Sequence, residues 1–399
     1  MNKLISQIIK KILFFVLHIL KEITFFILKP FYKDIKIHYV NPAILGGLLN
    51  LLYLSTIKEN YKIILDPFEL FKRNKYINIL IFKAAYNSIN KKKINIFVNF
   101  IHYLYYRSNL YTKRIEKIKI KAFTHGDNNV YNSLANKEKI YFDINLKKSK
   151  NEDINLLLEK KCLIFSCRDS AYKKLTTQLN SSYHSYRNES LINYEKALLP
   201  FKKQNLNIIR FGSIAENKCQ DKNIFDYTFS KNRNEINDLI LMKNCEIYVG
   251  TWSGPDILAI NFQKPIVYTN AINIPYIYSF QNNVVTTFKK FYDHDKKEFI
   301  KYKDLLNINS KFKDENIALS QFNETRFFKK YNIELIENTE DEIFHAVNEM
   351  INYRNNTFKF DPTLQDKFKK PFIKLTKNSF KPNFFISEYF IRKNISLFN

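Results

Sequence analysis

The sequence predicts an α/β protein of two domains, each a parallel sheet flanked by helices, preceded by an amphipathic helix. Three observations lead there. Strand–helix alternation runs twice, over residues 35–65 and more regularly over 162–268, and such alternation marks parallel sheets. A polar stretch at 144–160 separates the two runs, with Lys147, Lys148 and Lys150 in solvated positions. The segment 244–275, NCEIYVGTWSGPDILAINFQKPIVYTNAINIP, reads as strand, Gly/Ser turn, helix and strand. The expected divisions are 1–33 (membrane-associating helix), 34–145 (first α/β domain), 160–352 (second α/β domain) and 353–399 (a helical or extended tail).

In chain order, residues 4–28 are mostly apolar, but Lys10, Lys11, His18, Lys21 and Glu22 recur at helical spacing. Lys21 and Glu22 leave apolar runs too short to cross a bilayer comfortably. A basic helix lying in an anionic membrane interface fits; a single-pass anchor and burial against the protein's own core are the alternatives. A strand at 35–40, the loop NPAILGG, a helix at 48–57 and a strand at 61–65 ending in Asp66-Pro67 open the first domain. Residues 70–120 read as chiefly helical. In the second domain the strands are 162–167, 207–211, 246–249 and 265–268. A helix is expected at 189–203, with Pro200 bending its end, and another at 234–243 with Ile236, Leu239 and Ile240 inward. Pro255 suits the first turn of the helix after the Gly/Ser turn. Ile343, Val347 and Ile351 mark a last amphipathic helix.

The length of 399 residues allows two domains with real cores, and 45% apolar content argues for a globular chain. Net charge of +26 points to acidic partners: nucleic acid, anionic lipid or phosphorylated sugars. Cys162, Cys167, Cys219 and Cys245 lack metal-ligand spacing and read as reduced thiols of a cytosolic domain. Asp293-His294-Asp295 has the form of a metal-binding DxD, but Lys289, Lys290, Lys296 and Lys297 around it point to an exposed loop. No metal or other cofactor is expected.

Ligands of open parallel sheets bind beyond the carboxyl ends of the strands. Four polar clusters fall at such ends: Arg168, Asp169 and Tyr172; Arg210, Gly212 and Ser213; Asp226 and Tyr227; and Gly250, Thr251, Ser253 and Gly254. Together they offer arginines, hydroxyls and backbone N–H groups at a helix start, which suits a diphosphate. Trp252 could stack on a base or sugar ring or pack in the core.

The succession CRDSAY, SYRN, IIRFGS, FDYT, NDLILMKNCEIYVGTWSGPDILAINFQKPIVYTN and IENTEDEIFHAVNEM resembles a family of bacterial glycosyltransferases linked to surface-polysaccharide synthesis, over about residues 160–352. The resemblance implies a GT-B-like architecture, two Rossmann-like domains facing a central cleft, with a nucleotide-sugar donor on the second. It makes Arg168, Arg210, Ser213, Ser253 and Gly254 donor-site candidates and implies metal-independent transfer to a lipid-linked or surface-polysaccharide acceptor. The expected location is the cytoplasmic face of the inner membrane, held peripherally. If transfer inverts the anomeric centre, the acceptor hydroxyl needs a base. His38, His125 and Asp127 (in THGD) and Asp169 are the candidates, and each is as readily a structural or solvated residue. The alternatives are a nucleotide-sugar epimerase or hydrolase on the same scaffold, and a basic nucleic-acid-binding protein. The last lacks any recognisable nucleic-acid motif, and nucleic acid is not an expected partner.

Overall fold

A computed structural model describes residues 36–40, 61–71, 78–90, 95–112, 148–176, 181–272, 283–305, 324–375 and 384–398, with scattered positions among 12–30, at 48–52 and at 142–146. The chain divides into two compact units, one of Met1–Thr124 with Phe142–Ile144 and one of His125–Tyr141 with Asn145–Asn399.

In the first unit, β1 (Lys36–Val40) and β2 (Tyr61–Leu65) pair in parallel, with Lys36 opposite Tyr61 and Val40 opposite Leu65. Helices Ile79–Asn90 and Ile96–Thr112 follow. Ile63, Ile64, Leu65, Ile81, Phe82 and Tyr105 are buried among them. The helix expected at 48–57 is described at Leu48, Leu51 and Leu52, all helical and buried. In the N-terminal segment, Phe15, Ile23, Phe26 and Ile27 lie in helix with 51–69% of their surface exposed, so these side chains are not packed into a core. No helix of the described residues is long and apolar enough to cross a membrane.

The second unit carries a seven-stranded, all-parallel sheet. Its strands are β3 (Cys162–Phe165), β4 (Asn207–Arg210), β5 (Ile224–Asp226), β6 (Ile247–Gly250), β7 (Ile266–Ala271), β8 (Val284–Phe288) and β12 (Phe384–Ile386). A small antiparallel sheet of β9 (Lys290–Asp293), β10 (Glu298–Phe299) and β11 (Ile333–Ile336) sits beside it in sequence. The large sheet is ordered β12-β8-β7-β6-β3-β4-β5. All four residues of β3 and all four of β6 are buried, as strands covered on both faces must be. On one face Leu163, Phe165, Ile208, Val249, Val267 and Val285 meet Tyr194, Leu198, Phe201, Ile343, Val347 and Met350. Those partners come from helices Leu191–Leu198 and Glu340–Arg354 and the 3-10 turn Leu199–Gln204. Helices Glu152–Leu158, Glu235–Asn244 and Gly254–Asn261 complete the doubly wound arrangement.

Several expectations are refined. Pro200 does interrupt its helix: the α-helix stops at Leu198 and a 3-10 turn carries the proline. Ile236 is 51% exposed, because the buried side of its helix is Leu239, Ile240, Leu241 and Met242. The stretch 144–160 is not all polar connection, since Glu152–Leu158 is a helix that buries Ile154. The tail supplies β12, paired in parallel with β8 as the edge strand. Lys289 and Lys290 are buried rather than solvated. Lys289 Nζ donates to the carbonyls of Tyr186 (3.2 Å) and Asn188 (2.8 Å), and Lys290 Nζ to both Glu342 oxygens at 3.0 Å.

Candidate functional site

From β3 the chain moves outward through β4 to β5, then returns to the other side of β3 for β6 and continues outward through β7 and β8. β3 and β6 are therefore neighbours whose onward connections run opposite ways, which opens a crevice beyond their carboxyl ends. The residues placed there are Ser166–Cys167–Arg168 after β3 and Thr251–Trp252–Ser253 after β6.

Three cations converge near this point. The Arg168 guanidinium is pushed down to about 10, first by burial and then by Arg187. Its Nε is buried without a hydrogen-bond partner. Lys173 is lowered by burial and by Arg168 and Arg187. Arg187 ends the 3-10 segment Ser181–Arg187, and its guanidinium carbon lies 5.4 Å from the centre of the Trp252 ring, a cation–π contact. Among the described residues no carboxylate forms a salt bridge with Arg168 or Arg187. Mutually repelling, partly desolvated cations are costly in an empty site and are relieved by a bound anion.

Beneath the cations lies a hydroxyl–carboxylate network. The Tyr248 hydroxyl bonds the Ser166 hydroxyl and donates to Asp256 Oδ1 at 2.7 Å. Ser253 donates its N–H to Asp256 Oδ2 at 2.5 Å and its hydroxyl to Oδ1 at 3.2 Å. Burial raises the Asp256 carboxyl to about 6. This corrects the expected role of the helix start: the Ser253 N–H is already taken by Asp256, and Pro255 has none to offer. Positive potential here comes from side chains more than from the helix. Gly250 is needed for packing, since a Cβ there would lie 2.5 Å from the Tyr248 hydroxyl and 2.9 Å from Ser166 Oγ. Thr251 is buried, while Tyr172 and Gly254 are half-buried.

The other predicted ligands gather elsewhere, at the ends of β4 and β5. Arg210, expected to face the crevice, is 2% exposed. Its Nη1 donates to the Asn217 carbonyl (2.5 Å) and to Asp226 Oδ2 (3.2 Å), which also accepts from Cys219 N–H (2.8 Å). Arg210 and Asp226 thus hold the loop 211–223 onto the sheet. Tyr227 is wholly buried and donates to Asp238 Oδ1 at 2.8 Å. Arg233 Nε donates to the Gly212 carbonyl at 3.1 Å, and Ser213 beside it is half-buried. Of the base candidates, Asp169 ties two loops, accepting from Ala171 N–H (2.9 Å) and Glu216 N–H (2.7 Å). His38 lies in β1, while His125 and Asp127 fall outside the described residues. In Asp293-His294-Asp295, Asp293 Oδ1 caps a turn by accepting from Asp295 and Lys296 N–H, and His294 pairs with Glu334 at 2.9 Å.

Sequence reasoning passed over Arg187, Lys173, Ser166, Asp256 and Glu189. SYRN contains Arg187 and was the available signal. Glu189 accompanies Arg168 through a backbone bond, its N–H donating to the Arg168 carbonyl at 3.0 Å. Burial holds the Glu189 carboxyl up at about 8, against the pull of Lys289, Asn270 and Tyr194. A cavity of about 550 Å³ lies along β5, lined by Ile224, Phe225, Asp226, Lys202, Lys222 and Lys231 among others, and touches none of the switch-point groups. Short lysine-rich margins are a usual way to blunt a sheet edge, so topology and charge favour the crevice.

No family model matches this sequence, and no curated protein is similar to it at a significant level. Among solved structures the chain is similar to the dodecameric iron-containing heptosyltransferase TibC in complex with ADP-D-beta-D-heptose. That likeness has 11% identity over 81% of this chain and 78% of the other, with a TM-score of 0.40. A second structure, the iron-containing dodecameric glycosyltransferase TibC from enterotoxigenic E. coli H10407, gives 10% identity over 59% and 58%, with a TM-score of 0.33. Likeness at this level carries no weight for fold or activity. The doubly wound description rests on the strand order itself.

Proposed function

We propose that this chain is a sugar-nucleotide-dependent glycosyltransferase, moving a sugar from a nucleotide-sugar donor to a lipid-linked or surface-polysaccharide acceptor. The observation that carries the reading is the set of Arg168, Arg187 and Lys173 at the switch point of the sheet, with the Arg168 Nε unpartnered. Breaking a glycosyl–phosphate bond leaves a nucleoside diphosphate, and preorganised cations stabilise that developing charge without a metal. Trp252, already under a guanidinium, offers a ring face to a base or sugar. The two-domain division of GT-B enzymes is part of the proposal: the second unit takes the donor and the first the acceptor, with His38 as a candidate base. The exposed apolar helix at the N-terminus holds the enzyme peripherally at the cytoplasmic membrane face.

The test is calorimetry of the full chain against UDP-, GDP-, ADP- and CMP-sugars and the free diphosphates, repeated with Arg168→Met and Gly254→Leu. One donor class should bind, and both variants should weaken it. Donor consumed without an acceptor would favour the hydrolase or epimerase reading. If no sugar nucleotide or nucleoside diphosphate binds, or if binding is unchanged in both variants, the proposal fails.

A further inference from the structure

The first unit exposes a second apolar surface, independent of the donor site. Phe68 is 50% exposed, Ile96 51%, Phe97 71% and Val98 41%. Phe68 belongs to the short helix Pro67–Phe71 that follows β2, and the other three form the first turn of helix Ile96–Thr112. A rigid base joins them. Asn99 exchanges two buried hydrogen bonds with the Leu65 backbone, accepting from its N–H at 3.2 Å and donating to its carbonyl at 2.6 Å. The Phe68 ring meets Tyr103 edge-on at 5.7 Å and Phe100 at 6.4 Å. Asn95 Oδ1 accepts from the N–H groups of Phe97 (3.0 Å) and Val98 (3.1 Å), fixing the exposed turn. These side chains are therefore held out into solvent by ordered structure, and clustered exposure of this kind marks an interaction surface.

Charge identifies the partner. In the sequence Lys72, Arg73 and Lys75 directly follow the Phe68 helix, Lys91, Lys92 and Lys93 stand just before Asn95, and no Asp or Glu occurs between Glu69 and Glu116. A second copy of the chain would set these cations against their equals. An anionic lipid surface suits exposed apolar side chains on segments that lysines flank in sequence. The geometry points to Phe68, Ile96, Phe97 and Val98 as a membrane-insertion tip that docks the first unit on an anionic bilayer. The inference rests on the proposed peripheral attachment and adds a second membrane contact to the one proposed for the N-terminal helix.

Trp252 is the chain's one tryptophan and lies in the second unit, so Phe97→Trp reports on the tip in the full-length protein. With vesicles containing phosphatidylglycerol and bromolipid, Phe97→Trp should show emission quenching well beyond the wild type, and less with pure phosphatidylcholine. The double variant Phe68→Glu/Phe97→Glu should lower partitioning onto anionic vesicles by about tenfold or more, with circular dichroism unchanged. Because Phe97→Trp is conservative, the quenching arm stands even if the double variant folds poorly. A vesicle-bound Phe97→Trp chain with no added quenching overturns the inference, since the helix alone would then be the anchor. So does absence of vesicle binding, or a dimer in sedimentation that Phe97→Glu disperses.

Discussion

Replacing Arg168 with methionine should stabilise the ligand-free protein and at the same time weaken diphosphate binding. Burial and Arg187 bring this guanidinium down to about 10. Relative to an ordinary arginine that departure corresponds to ~3 kcal/mol against the charged form, at about 1.4 kcal/mol per pKa unit. Local relaxation recovers part of it, and methionine keeps the packing of the aliphatic stem, so the expected gain is ~1–3 kcal/mol. For a unit of this size that raises the melting temperature by roughly 2–4 °C per kcal/mol. A diphosphate acts oppositely on the wild type, because an anion turns the repulsion among Arg168, Arg187 and Lys173 into attraction. Losing one charge-assisted contact should weaken binding by ~1–3 kcal/mol, or about fivefold to 150-fold in Kd. Thermal unfolding with and without pyrophosphate and nucleoside diphosphates measures both effects on one sample. A variant that melts below the wild type yet keeps the full ligand shift would refute the reasoning and make Arg168 a structural residue.

Arg210→Ala should do the reverse, destabilising by ~3–5 kcal/mol in urea unfolding because it strands Asp226 next to a buried carbonyl; an Arg210→Ala protein as stable as the wild type would contradict the loop-holding role. Gly250→Ala should cost ~1–3 kcal/mol, since its Cβ would overlap the Tyr248 hydroxyl at 2.5 Å, and unchanged stability would show that the network yields freely. Stability should also fall from pH 5 to pH 8.5. Burial raises Asp256 to about 6 and Glu189 to about 8, so the folded chain keeps protons that the unfolded chain has released. Their contribution is fully present below about pH 4 and is lost as pH rises through those two values. Urea midpoints across this range test it, with Glu189→Gln expected to flatten the alkaline limb; a midpoint that climbs toward pH 8.5 would count against the assignment.

The strands that sequence located well are those with local marks at both ends. β2 begins and ends where expected because Asp66-Pro67 follows an unbroken apolar run, and β6 lies one residue from its expected position because Gly250 punctuates it. β8 and β12 go unrecognised despite flanking Asn282-Asn283 and Pro382-Asn383. Phe384–Ile386 is an apolar triplet in a Lys/Phe-rich tail, and only pairing with β8, a hundred residues earlier in sequence, makes it a strand. That contact is long-range, and periodicity cannot report it. The same limit explains Lys289 and Lys290. Four lysines near an Asp-His-Asp sequence look solvated, yet two are buried because Tyr186, Asn188 and Glu342 come from distant segments to meet them.

The candidate site can be read from the sequence as a set of strand ends but not as a set of residues, and the two arginines show why. Both Arg168 and Arg210 stand at the carboxyl end of a parallel strand, which is what the sequence displays and what makes either a plausible anion ligand. The difference lies in what surrounds each. Arg210 has Asp226 at the same level of the neighbouring strand, a register pair of the β4–β5 ladder, and is neutralised there. Arg168 follows β3, whose neighbour β6 ends in a glycine, so no carboxylate is supplied across the ladder. Arg187, from a different segment, adds a second cation beside it, while Glu189 and Asp256 favour its charge without forming a salt bridge. Strand order alone decides which strand-end arginine is compensated, and that order reverses at β3. The crevice has a topological origin: β3 is the point from which the chain winds both ways. In the proposed donor site, a bound diphosphate would pair with Arg168 at that point as Asp226 pairs with Arg210 between β4 and β5.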